Sequence, residues 1–273
     1  MSSAAPAIPA LAFRGKVTQA RVVLSEWTKL HSLRSTRWSL GVAVLLTIGL
    51  PVLFAALTSS HWGSMGAHER ADRHPLDIAL AGVNLSQLSI AVLGVLVITG
   101  EYSTGMIRST LIAVPKRLPV LWAKAAVFGA VVFVLMLPAV VVAFFVGQAL
   151  LASQHIDVAF SHPGVERAIV GAALYLTVIG LLGLGLGAIV RNTAGGIAAF
   201  AGLLFVIPPL LNVLPSSWND AISPYLPGDA GTQVLSIAHE GHHLSPWGGF
   251  AILCAWTAFF VAVAAVLLVR RAA

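Results

Sequence analysis

The sequence predicts an all-α, polytopic membrane protein. Three observations carry this: six long apolar stretches, almost no charge inside them, and lysine and arginine gathered on every second connection. A hydrocarbon core about 30 Å thick takes roughly 20 apolar residues of helix to cross. Runs of that length extend over Trp38 to Leu57, Ile78 to Thr99, Ala125 to Leu150, Ala168 to Val190, Ala194 to Leu214 and Trp247 to Val269. Of the 273 residues, 58% are hydrophobic and only 10% charged, where a soluble domain carries about 25% charged residues. No large soluble domain is expected. The runs are continuous and rich in Leu, Val and Ala, whereas a transmembrane barrel needs short segments of alternating polarity, so helices are the reading.

Residues 1–15 read as a disordered tail. The opening MSSAAPAIPALAF lacks the basic start of a cleaved signal and is expected to stay attached. Residues 16–37 read as an amphipathic helix too polar to span. Ala20, Val23, Leu24, Trp27 and Leu30 recur at helical spacing, with Gln19, Glu26 and Lys29 elsewhere around the wheel. Such a helix lies along the inner membrane surface, Trp27 at headgroup level and its basic residues toward anionic lipid, as a topogenic anchor or as an elbow that moves the first span. Residues 38–273 form the six-span domain.

Counting cations by connection gives the orientation. Arg14, Lys16, Arg21, Lys29, Arg34 and Arg37 precede the first span; Arg108, Lys116, Arg117 and Lys124 follow the second; Arg191 follows the fourth; Arg270 and Arg271 follow the sixth. The other connections hold only Arg70, Arg73 and Arg167, with eight of the ten acids. The positive-inside rule places both termini in the cytoplasm. The net charge of +6 is therefore topological, and with no compact basic face no nucleic-acid partner is expected. The single cysteine, Cys254, falls in the last span, so no internal disulfide can hold the outer loops.

Within the spans the polarity is mild. Asn84 and Gln87 share a helical face with Ala91 that is expected to point inward, as substrate contacts or as interhelical hydrogen-bonding groups. Gln148 reads as interfacial. Gly180, Gly183 and Gly187 form a stripe of small residues for close helix packing. Pro138, and Pro208 with Pro209, are expected to kink or end their helices. The apolar cores contain no Asp, Glu, Lys, Arg or His, which disfavours ion-coupled transport.

The second basic connection, GEYSTGMIRSTLIAVPKRLPVLWAK from Gly100, predicts a short helix at about 101–117. Ser103 or Thr104 is positioned to cap it, Glu101 to sit at its amino end, and Pro115 to end it. The longest outer connection, 215–246, mixes Trp218 and Tyr225 with prolines, as in short helices at or dipping into the outer interface. It also holds His239-Glu240-Gly241-His242-His243, which matches H-E-x-x-H, where His239 and His243 would bind zinc and Glu240 act as base. Gly241 weakens the required helix and no Asp, Glu or His follows as third ligand, so no metal site is expected.

The order of EWTKLHSLRSTRW, the second-connection segment and GLGLGAIVRNTAGG after the fourth span resembles the type-2 class of bacterial ABC transporter permeases, over Glu26 to Arg271. The resemblance implies a plasma-membrane subunit that pairs with a second permease and with two copies of a separate ABC ATPase to export an amphiphile. It makes the helix after the second span a coupling helix, with Glu101, Tyr102, Gly105 and Arg108, and the 215–246 connection a cap over the path. No GxxxxGK[ST] occurs in the chain. The chain is therefore expected to be no enzyme and to bind no cofactor, ATP and magnesium residing on the ATPase. The alternatives are a sensory or immunity subunit of the same architecture and, further off, a membrane zinc protease.

Overall fold

The computed structural model describes residues 18–71, 73–114, 116–213, 215–237 and 244–270. Among these the chain is helical, with no strand, and six helical segments are long and apolar enough to cross a membrane: Arg34–Ser64, Pro75–Ser103, Leu118–Gln154, Val165–Val190, Thr193–Leu211 and Pro246–Arg270. This is the architecture of a multi-pass membrane protein. Each segment contains or closely follows one of the apolar runs. The tail at 1–15 lies outside the described residues.

The amphipathic helix α1 (Gln19–Ser32) ends at Leu33, whose extended backbone separates it from α2 (Arg34–His61), the first span. The break falls before Arg37, so the first span's helix takes over four residues expected in α1. The face α1 turns into the protein is Val22, Glu26 and Leu30, and Glu26 thereby corrects the reading that placed it away from the packed side. The apolar residues opposite, Leu24 and Trp27, are exposed, as an interfacial helix requires.

Two short helices, α3 (Ala67–Ala71) and α4 (Pro75–Leu80), lead into α5 (Gly82–Ser103), and α4 and α5 together make the second span. At Gly82 a Cβ would lie 2.6 Å from the Leu46 carbonyl oxygen, so glycine permits this close approach of α5 to α2. Next come α6 (Met106–Ala113) and α7 (Leu118–Leu151), the latter running unbroken through Pro138. The fourth span, α8 (Val165–Val190), packs on α5, α7 and α13 (Pro246–Arg270), the last span. It is the most buried of the six, at 72% against 17% for the fifth.

The fifth span is α9 (Thr193–Ala201), a π-turn over Gly202–Val206 and α10 (Ile207–Leu211). Pro208 and Pro209 sit in the first turn of α10, where a missing N–H costs least. The π-turn absorbs the change of hydrogen-bond pattern ahead of them, and the helix stops at Leu211, short of the expected Leu214. Asn192 caps α9, its side chain accepting from the Gly195 N–H at 2.9 Å.

Beyond α11 (Ser216–Ile222), α12 (Pro227–Thr232) does more than skirt the surface. A Cβ at Gly231 would come within 2.6 Å of the Tyr175 ring, and Trp256 donates to the Tyr225 carbonyl at 2.9 Å. Tyr175 and Trp256 each lie ten residues inside their helix, about 15 Å at 1.5 Å per residue. The segment therefore re-enters between α8 and α13.

One end of the bundle gathers the cations. Two residues with left-handed backbone, Arg117 (φ 52°) and Arg191 (φ 58°), reach the end of α13: Arg117 donates to the Leu268 carbonyl at 3.0 Å and Arg191 to that of Leu267 at 3.2 Å. Guanidinium groups there satisfy the terminal carbonyls and complement the helix dipole.

Candidate functional site

At this basic end α1, α5 and α7 meet in a four-charge cluster. Lys124, in the second turn of α7, donates to Glu26 of α1 and, at 2.9 Å, to Glu101 of α5. Lys29 of α1 donates to Glu26 at 2.8 Å, to Glu101 at 2.9 Å and to the Thr110 hydroxyl of α6 at 3.3 Å. Glu26, Glu101 and Lys124 are only 3–4% exposed. Two carboxylates and two ammonium groups balance, which is what lets charge be buried here. Burial alone would lower the pKa of Lys29, but the Glu26 and Glu101 carboxylates outweigh it and hold the ammonium above the ordinary lysine range. Its folded pKa being raised, the stability it contributes is complete below the ordinary lysine pKa and is lost only as pH climbs through the raised value.

One atom of the cluster lacks a partner. The second carboxylate oxygen of Glu101 is buried with no hydrogen bond, beside a cavity of about 210 Å³ whose lining includes Lys29, Gly100, Thr104 and Met106. An orphaned carboxylate oxygen is costly, and of α6 only Met106 reaches this cavity.

The residues singled out for the second connection separate into two groups. Glu101 and Tyr102 belong to the last turn of α5 rather than to a helix of the connection. The reason is local: the Thr104 N–H bonds the Gly100 carbonyl at 3.2 Å, so the span's own hydrogen-bond ladder continues past the apolar run. Glu101 consequently stands at a helix carboxyl end, opposite to the expected dipole position, and Lys29 and Lys124 compensate it. Tyr102 is half-buried, with the Arg191 guanidinium 5.1 Å from its ring centroid.

Gly105 starts α6 from left-handed backbone, φ 72°, and with no Cβ it turns there without strain. Ser103 and Thr104 do not cap α6, since both hydroxyls bond back to the Gly100 carbonyl. Pro115 lies outside the described residues. On α6, Ile107 and Leu111 are buried, while Arg108 and Ile112 are exposed, Ile112 at 80%, and Met106 stands at the rim of the cavity beside Glu101.

In the membrane interior Gln87 is buried, accepting from the Tyr175 hydroxyl and donating to the Asn84 carbonyl at 2.9 Å. Asn84 itself is exposed, so the two do not share an inward face. Gly180, Gly183 and Gly187 all lie against α5 of the same chain, near Ile90, Ala91 and Val95. Gln148 links loops at the opposite end, accepting from the Val158 N–H at 2.8 Å and donating to the Pro75 carbonyl at 3.3 Å. Cys254 is a half-buried free thiol on α13.

The His239–His243 motif falls outside the described residues, and among those described no group of three or more His, Cys, Asp or Glu is arranged to hold a metal. Compared with known families and with curated proteins, the chain matches no family model and no curated sequence.

Proposed function

We propose that the chain is the membrane permease subunit of an ATP-driven exporter, with both termini cytoplasmic and α6 as the element on which a separate ATPase acts. The observation that carries this reading is the construction of α6. It is an eight-residue helix with one buried apolar face, an adjoining face of Arg108 and Ile112 left uncovered, and a strap from Thr110 through Lys29 to Glu26 and Glu101. A protein partner that grips the outer face moves α1 and the second and third spans together. The substrate is an amphiphile, and the weakly buried first, fifth and sixth spans supply a face for a second permease.

Two experiments test the proposal. For orientation, a cysteine at Asp77 or Trp218 is expected to react with an impermeant thiol reagent on intact cells, and one at Thr104, exposed on the basic end, to react only after permeabilisation. Labelling of Thr104 from outside would reverse the topology and remove α6 from reach of ATP. For coupling, Ile112→Asp with Arg108→Ala is expected to leave folding intact, since both side chains are exposed, and to weaken co-purification with the ATPase. Loss of an apolar anchor costs about 2 kcal/mol at an interface core, which is roughly 30-fold in affinity. Wild-type ATPase association and export in the double variant would sink the coupling role.

A further inference from the structure

A second cavity, of about 690 Å³, opens on the side of the bundle where α1 turns into α2 and both face α7. Its polar lining sits at one end: His31 from the last turn of α1, with Thr36 and Arg37 from the first turn of α2. Trp27 flanks that end. Deeper in, the walls are Leu40, Gly41 and Val44 of α2 and Ala130, Val131, Val134 and Leu135 of α7, with no charge among them. From Arg37 to Val44 the groove runs about 10 Å along the helix axis at 1.5 Å per residue, well inside the ~15 Å of one hydrocarbon leaflet. Its floor is open, because a Cβ built on Gly41 meets nothing within 4 Å.

The charge around the mouth has one sign. Arg37 and Arg34 supply it, with the exposed His31 imidazole beside them, while the one acid of α1, Glu26, is buried and bound by Lys29 and Lys124. A cationic, Trp-flanked mouth over an apolar slot is complementary to one class of molecule: an acyl chain that carries an anionic headgroup.

We infer that this groove is a binding site for one anionic phospholipid, its headgroup phosphate on Arg37 and His31 and one acyl chain lying along Gly41 and Ala130. The lipid holds the α1–α2 elbow against α7. The site stands independently of any export activity.

Native mass spectrometry of the full chain released from vesicles of equal phosphatidylglycerol and phosphatidylcholine tests this. The expected result is one phosphatidylglycerol retained per chain, at least tenfold over phosphatidylcholine. Gly41→Phe and, from the opposite wall, Ala130→Phe fill the slot and are expected to abolish retention. Leu45→Phe, on an exposed part of α2 outside the groove, is expected to leave it unchanged. His31→Gln with Arg37→Gln is expected to erase the preference between the two lipids. A measurement that leaves the groove walls intact accompanies these: phosphatidylglycerol brominated on its acyl chain quenches part of the tryptophan fluorescence, and Trp27→Phe removes that part. Equal retention of both lipids by the wild-type chain, full retention by folded slot-filling variants, or quenching unaffected by Trp27→Phe would each overturn the assignment.

Discussion

Replacing Lys124 by methionine is expected to destabilise the folded chain by about 3–5 kcal/mol, the usual cost of removing one partner from a buried ion pair. The variant leaves Glu26 and Glu101 buried with only Lys29 between them, and the Glu101 carboxylate already has one unsatisfied oxygen. Unfolding in mild detergent, followed by heat or denaturant, reads the loss directly. The companion variant replaces all four members at once: Glu26→Leu, Lys29→Met, Glu101→Leu and Lys124→Met. It is expected to recover most of the stability, because a buried ion-pair network and its apolar substitute are often close in free energy. If the cluster also transmits motion from α6, this stable variant loses coupled activity while Lys124→Met loses the fold. A Lys124→Met chain as stable as wild type would show that water reaches the cluster and screens it.

The parts legible in the sequence are those fixed by one-dimensional physics. Span number and position follow from the length of apolar runs, and the six runs coincide with the six spanning segments to within a few residues at their apolar centres. Helix ends were harder, because a hydrogen-bond ladder does not stop where hydrophobicity stops. The last turn of α5 carries Glu101 and Tyr102 beyond the apolar run, and the second turn of α7 carries Lys124 ahead of one. Assigning those residues to a connection hid the charge cluster.

A signal for it was nonetheless present. Glu26 and Glu101 are the only two acids on the basic connections, the other eight lying on the opposite set. Two isolated carboxylates on the side that holds all four lysines imply pairing. What the sequence could not supply was which face of α1 turns inward, since Val22, Glu26 and Leu30 look less apolar than the Leu24 and Trp27 face that meets lipid. In a bilayer the usual inside-apolar rule loses its force, because the exterior is apolar too.

The glycine stripe of α8 carries the second large effect. Gly183→Leu is expected to prevent normal folding, and Gly183→Ala alone to cost about 1–3 kcal/mol, the scale of overpacking a tight core. A Cβ at Gly183 would lie 2.5 Å from the Ala91 carbonyl oxygen, with only α5 backbone nearby, so no side-chain rotation relieves it; one at Gly187 would meet the Ile98 Cγ2 at 2.9 Å and the Val95 Cα at 3.0 Å. Gly129 on α7 supplies the comparison: its Cβ would meet only side-chain carbons of Leu181 and Thr177, at 3.6 Å and beyond, so Gly129→Ala is expected to be neutral or slightly stabilising. The two substitutions add the same methyl group to the middle of a spanning helix, so helix propensity favours both equally and only the approach of the neighbouring backbone separates them. Folded yield and thermal midpoint in detergent measure the contrast. Equal tolerance of Gly183→Ala and Gly129→Ala would mean that α5 and α8 sit farther apart than described, and the buried bond from Tyr175 to Gln87, which spans the same two helices, would fall with it.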